Sequence, residues 1–159
     1  MKKKAIFLLC LNGITAALYT GLCLLLQPIS YGPVQVRFSE ALTLLPALIP
    51  QTVPGLTLGC LLANLLGGNL YDIVFGTLAT LLAALLTARL RGRDFLAAIP
   101  PVAVNALVIG AVLTWGYHLG SAWWINMLTV GAGEGVACFL LGVPLIKALR
   151  KQGMDKWSK

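Results

Sequence analysis

Apolar residues in this chain come in long runs. The stretches 5–27, 70–88, 95–117 and 122–146 carry at most one charge each. Each is long enough to cross about 30 Å of hydrocarbon as a helix rising ~1.5 Å per residue. Two weaker runs, 38–50 and 53–66, are punctuated by Pro50 and by Pro54-Gly55. Both are short for a straight span, which predicts a tilted helical hairpin or a re-entrant pair, with any irregular backbone shielded by protein or water. The expected architecture is an all-α integral membrane protein of six transmembrane helices, a single domain over 1–159 with no repeat or linker.

Composition agrees with that pattern. Hydrophobic residues make up 58% of the chain and charged residues 11%, against roughly a quarter charged in an ordinary soluble domain. Mean hydropathy is +0.88. The start, MKKKAIFLLCLNGITAAL, has the basic head of a signal peptide. Its apolar run continues through Leu26 with no A-x-A-like site after it, which argues for a span rather than a cleaved leader. Cys10, Cys23, Cys60 and Cys138 lie inside apolar runs without CxxC spacing and read as small buried hydrophobes.

The net charge of +7 suggests a nucleic-acid partner until the positions are mapped. Lys2, Lys3 and Lys4 precede the first run; Arg89, Arg91 and Arg93 share one loop; Lys147, Arg150, Lys151, Lys156 and Lys159 form the tail. With an even number of spans and cytoplasmic ends, every basic residue except Arg37 falls inside, which is the positive-inside distribution. A membrane rim accounts for the charge, and no nucleic acid is required.

On this topology the polar residues collect towards the outer side. Arg37, Ser39 and Glu40 open the second segment, Asn64 lies near the outer end of the third, before the turn Gly67-Gly68-Asn69, and Asp72 begins the fourth. Tyr117, His118, Trp123, Trp124 and Asn126 flank the turn between the fifth and sixth, while Asn105 and Glu134 sit near mid-membrane. Ionisable groups in lipid are costly and usually face a cavity or a partner, so each is a candidate. Plainer roles compete. Arg37 and Glu40, at i and i+3, are spaced to neutralise each other, and Ser39 suits a helix N-cap. Asp72 suits the positive end of a helix dipole. Asn64 and Asn105 suit interhelical hydrogen bonding, and the aromatic residues suit an interfacial belt. Glu134, in GAGEGVACF, has no adjacent cation and glycines on both sides. His118 lacks the partners a metal site needs.

Gly13, Ala17 and Gly21 recur every fourth residue on the first helix, with Ala16 and Thr20 one position away; small residues at this spacing clear a groove for a helix. No GxxxxGK[ST] loop, HExxH or GxSxG is present. One histidine and five acids leave little for acid–base chemistry. The expectation is a non-enzyme without cofactor or metal.

The ordered blocks GPVQVRFSEALTLLP, GCLLANLLGGNLYDIVFGTLATLLAALL and GEGVACF resemble the queuosine-precursor transporter family. These are substrate-binding S components of energy-coupling-factor (ECF) vitamin importers in the bacterial plasma membrane. The likeness covers essentially the whole chain. It implies a six-helix subunit with an outward-opening ligand pocket, a transmembrane coupling subunit and two cytoplasmic ATPases as partners. S components dock the coupling subunit through small residues on the first helix, and Gly13, Ala17 and Gly21 match that pattern with glycine at two positions.

The resemblance implies a 7-deazaguanine ligand: 7-aminomethyl-7-deazaguanine (preQ1), its cyano precursor (preQ0) or queuine. A guanine edge places N–H donors beside a carbonyl, which a carboxylate plus an Asn or Arg donor matches. Glu134 or Glu40 is expected at the donor edge and Asn64 or Asn105 at the carbonyl. Asp72 or the remaining glutamate faces an ammonium group, and Arg37 lines the mouth with Glu40. Trp115, Tyr117 or Trp123 stacks on the ring. The alternatives are an S component for cobalamin, disfavoured by a short first outer loop at about 28–37, and a membrane assembly factor in which Arg37 and Glu40 are a structural pair.

Overall fold

A computed structural model describes residues 2–26, 37–68, 70–118 and 120–158. Residues 28–36 of the expected first outer loop, which bears on ligand size, and Asn69 of the expected turn fall outside these residues.

Among the described residues every regular element is a helix, and none is a strand. Four helices are long and apolar enough to cross a membrane: α1 (Lys2–Leu25), α4 (Asp72–Arg89), α5 (Leu96–Gly116) and α6 (Trp123–Lys151). Between α1 and α4 lie the two weaker segments. Helix α2 (Phe38–Leu48) is seven residues of 3-10 helix followed by four of α-helix, about 20 Å at the rises of those two forms. Pro50 ends it by forcing Ile49 into extended backbone (φ −131°, ψ 91°). A 3-10 turn, Pro50–Thr52, then leads into α3 (Val53–Gly67).

Helix α2 is short because it is interior. Every residue from Ser39 to Ile49 is buried, and α2 packs against α1, α4 and the middle of α6. Around it α1 lies along α3, α3 along α4, α4 along α5 and α5 along α6. The α1–α3 contact is close: a Cβ on Gly59 would stand 2.9 Å from the Ala16 carbonyl, so a side chain there would force the helices apart.

Polarity is inverted relative to a water-soluble bundle. Leu18 is 53% exposed and Leu140 67%, whereas Glu40 is 1% exposed and Glu134 4%. Such a surface is stable against lipid tails, not water. Both ends of the chain lie at one end of the bundle, where the Phe7 and Trp157 rings meet edge-on at 5.5 Å. Arg150 pairs there with Asp94 of the α4–α5 loop.

Three long helices contain π-helical stretches: Asp72–Gly76, Val112–Gly116 and Val136–Gly142. The last ends just before Pro144. A proline there lacks an N–H and collides with the carbonyl four residues back, and the wider turn absorbs that conflict inside a continuous helix. Each stretch lies beside a polar residue described below, Asp72, Tyr117 and Glu134 in turn, a common setting for such bulges.

Candidate ligand-binding site

The apolar bundle encloses one connected set of polar side chains. Its inner part centres on Asn105 of α5. The Asn105 amide nitrogen lies 3.1 Å from Glu134 Oε1 on α6 and 3.4 Å from Glu40 Oε2 on α2, donating towards both. The hydroxyl of Tyr19, a fully buried residue of α1, donates to the other oxygen of Glu40. Four helices thus converge on two carboxyl groups. Glu134 Oε2 has no hydrogen-bond partner among the described residues.

The second part lies towards the far end of the bundle from the chain ends. Asp72, at the start of α4, accepts a hydrogen bond from the Tyr117 hydroxyl at the end of α5. It also faces the Arg37 guanidinium at 3.8 Å. Backbone joins the two parts: Glu40 donates its N–H to the Arg37 carbonyl at 2.9 Å. Arg37, Glu40, Asp72, Asn105 and Glu134 are all buried.

Two local expectations change here. The carboxylate nearest Arg37 is that of Asp72, at 3.8 Å, while Glu40 is hydrogen-bonded by Tyr19 and Asn105 and acts on the arginine through its charge without direct contact. Ser39 is not an N-cap. It lies inside the 3-10 turn that Arg37 precedes, and its hydroxyl stands 3.0 Å from the Cys23 thiol.

Other candidates occupy the periphery. Asn64 is buried and donates to the Asp72 carbonyl at 2.8 Å, with Cys60 Sγ at 3.4 Å, tying α3 to α4. Asn126 donates to Thr114 Oγ1 at 2.9 Å, tying α6 to α5. Trp115 and Trp123 stack on each other with ring centroids 6.1 Å apart. Trp115 is 63% exposed and lines an apolar groove of about 470 Å³ with Tyr71 and Phe75. Of the three candidate aromatics, Tyr117 is the one bonded to the polar set. His118 is exposed, with φ 51°.

On α1 the small residues divide between two faces. Ala16 and Thr20 are used internally, Ala16 against Gly59 and Thr20 donating to the Gly59 carbonyl at 3.0 Å. Gly13 and Ala17 are exposed, and a Cβ on Gly13 or Gly21 would meet nothing within 4 Å.

Tyr19 escaped sequence reasoning. Its signal was a hydroxyl-bearing ring inside an apolar span rather than at a boundary, and a Tyr O–H taken out of water seeks an acceptor.

No curated protein and no solved structure matches the chain. The family model described as QueT transporter matches residues 9–151, a span that holds every buried carboxylate of the polar set. The chain belongs to the QueT transporter family, and is a transporter component of a membrane.

Proposed function

We propose that this chain is the substrate-binding S component of an ECF-type importer of the bacterial plasma membrane, taking up a 7-deazaguanine queuosine precursor. It acts as a single six-helix domain with both termini cytoplasmic. The observation that carries this reading is the meeting of Glu40, Asn105 and Glu134 from three helices in the interior. Carboxyl groups kept away from water are costly, and a flat polar guest with several N–H donors repays that cost with charge-assisted hydrogen bonds. Glu40 takes the donor edge of the ring, Asn105 its carbonyl, and Glu134 the ligand's cationic substituent. Tyr117 is the stacking partner, with Trp115 and Trp123 at the mouth.

The ligand enters from the outer end, where Arg37, Asp72 and Tyr117 close the path; Asn64 braces Asp72 from behind. The open face of Gly13, Ala17 and Gly21 docks the coupling subunit, which carries two cytoplasmic ATPases.

The test is tryptophan quenching or native mass spectrometry of the purified chain with 7-aminomethyl-7-deazaguanine, its cyano analogue, queuine, guanine and cobalamin. Tight binding of a deazaguanine without nucleotide is expected. Binding of cobalamin alone would reassign the ligand, and ATP hydrolysis by the isolated chain would overturn the transporter role proposed here.

A further inference from the structure

The polar set is unbalanced in charge. Three carboxyl groups, Glu40, Asp72 and Glu134, face one guanidinium, Arg37. Every other Lys and Arg of the chain lies in 2–4, 89–93 or 147–159, and those among the described residues stand at the end of the bundle where Phe7 meets Trp157 and Arg150 meets Asp94. Among the described residues the neighbouring elements bring no cation: α1 contributes Tyr19 and Cys23, α3 Cys60, α5 Asn105 and Tyr117, and α6 Cys138. Fully ionised, the set carries two uncompensated negative charges in a medium that solvates neither.

Hydrogen bonding and charge together point to where one proton fits. Asp72 Oδ1 also lacks a hydrogen bond among the described residues, but it faces the Arg37 guanidinium at 3.8 Å, which favours the ionised form. Both oxygens of Glu40 accept, one from Tyr19 and one from Asn105, which is how an ionised carboxylate is satisfied. Glu134 accepts at Oε1 only, and Oε2 is buried and unpartnered among the described residues.

We propose that Glu134 holds a proton on Oε2 until a cationic ligand arrives, and exchanges that proton for the ligand's ammonium group. The inference rests on the ligand-binding role proposed above. Balance is simple. The Glu134 O–H breaks, its proton passes to water, and an ammonium N–H donates to Oε2 in its place. The set carries one net negative charge before and after, so the interior never holds the second. A neutral ligand triggers no exchange.

Isothermal titration of the full chain in lipid nanodiscs tests this, comparing 7-aminomethyl-7-deazaguanine with its cyano analogue in phosphate and Tris. The amine is expected to release about one proton per site, seen as a buffer-dependent enthalpy, and to bind up to about tenfold tighter per unit rise in pH. The cyano compound releases none. Infrared difference spectra supply a reading without mutation: the carbonyl stretch of a protonated carboxylic acid is lost when the amine binds. In Glu134→Gln, proton release disappears and the amine weakens by about tenfold or more. Amine binding with equal enthalpies in both buffers would overturn the exchange and leave the ligand-binding role standing. Release that persists in Glu134→Gln would also overturn it. Failure of every deazaguanine to bind would overturn both.

Discussion

The Tyr19 hydroxyl donates to Glu40 Oε1, joining the middle of α1 to the buried helix α2. Neither group touches water, since Tyr19 is 0% exposed and Glu40 1%. The bond fixes one carboxylate oxygen while Asn105 fixes the other, so Glu40 is aimed before any ligand reaches it. Pre-aimed acceptors bind more tightly because less ordering remains to be done.

Replacing Tyr19 by Phe removes the donor and keeps the ring. A buried acceptor without its partner costs about 1–3 kcal/mol, so Tyr19→Phe is expected to lower thermal stability in detergent and to weaken deazaguanine binding. Stability and affinity both equal to the parent protein would show that the bond contributes nothing.

Two ion pairs test the difference that burial makes. Arg37 and Asp72 have side chains 5% and 4% exposed, and those of Arg150 and Asp94 are 34% and 14% exposed. Asp72→Ala takes the nearest carboxylate from the buried Arg37 charge, a loss of up to about 3–5 kcal/mol. Asp94→Ala strands an arginine that water still reaches, a loss of about 1 kcal/mol or less. Unfolding midpoints of the two variants should separate clearly, and equal midpoints would contradict the burial argument.

Much of the plan is legible in the chain itself. Apolar runs locate the long helices because hydrocarbon thickness sets their length. Glu134 and Asn105 stand out because polar groups in such runs need a reason. Pairing is less legible. Arg37 has an acid three residues away, yet the carboxylate it contacts is that of Asp72, because 3-10 geometry turns Ser39 and Glu40 towards α1 and α5. Local spacing assumes a helical form that a buried seven-residue 3-10 turn does not share. The all-round burial of α2 is likewise invisible to periodicity, since a helix enclosed by protein and one enclosed by lipid are both apolar on every face. Tyr19 was hidden for the opposite reason: it counts as hydrophobic in any window.

The two small-residue faces of α1 predict opposite phenotypes. Gly59 of α3 meets Ala16 so closely that a side chain would lie 2.9 Å from its carbonyl, which is backbone and cannot swing aside. Gly59→Val is therefore expected to destabilise the isolated chain by about 1–3 kcal/mol. Gly13 opens onto nothing within 4 Å. Gly13→Leu is expected to leave the unfolding midpoint and deazaguanine affinity unchanged, because no contact inside this chain is crowded. If the open face docks the coupling subunit, the same leucine blocks close helix approach and abolishes co-purification with that subunit. A Gly13→Leu chain that still co-purifies, and is as stable as the parent, would remove the open face from the docking surface. A destabilised one would show that Gly13 packs within the bundle after all.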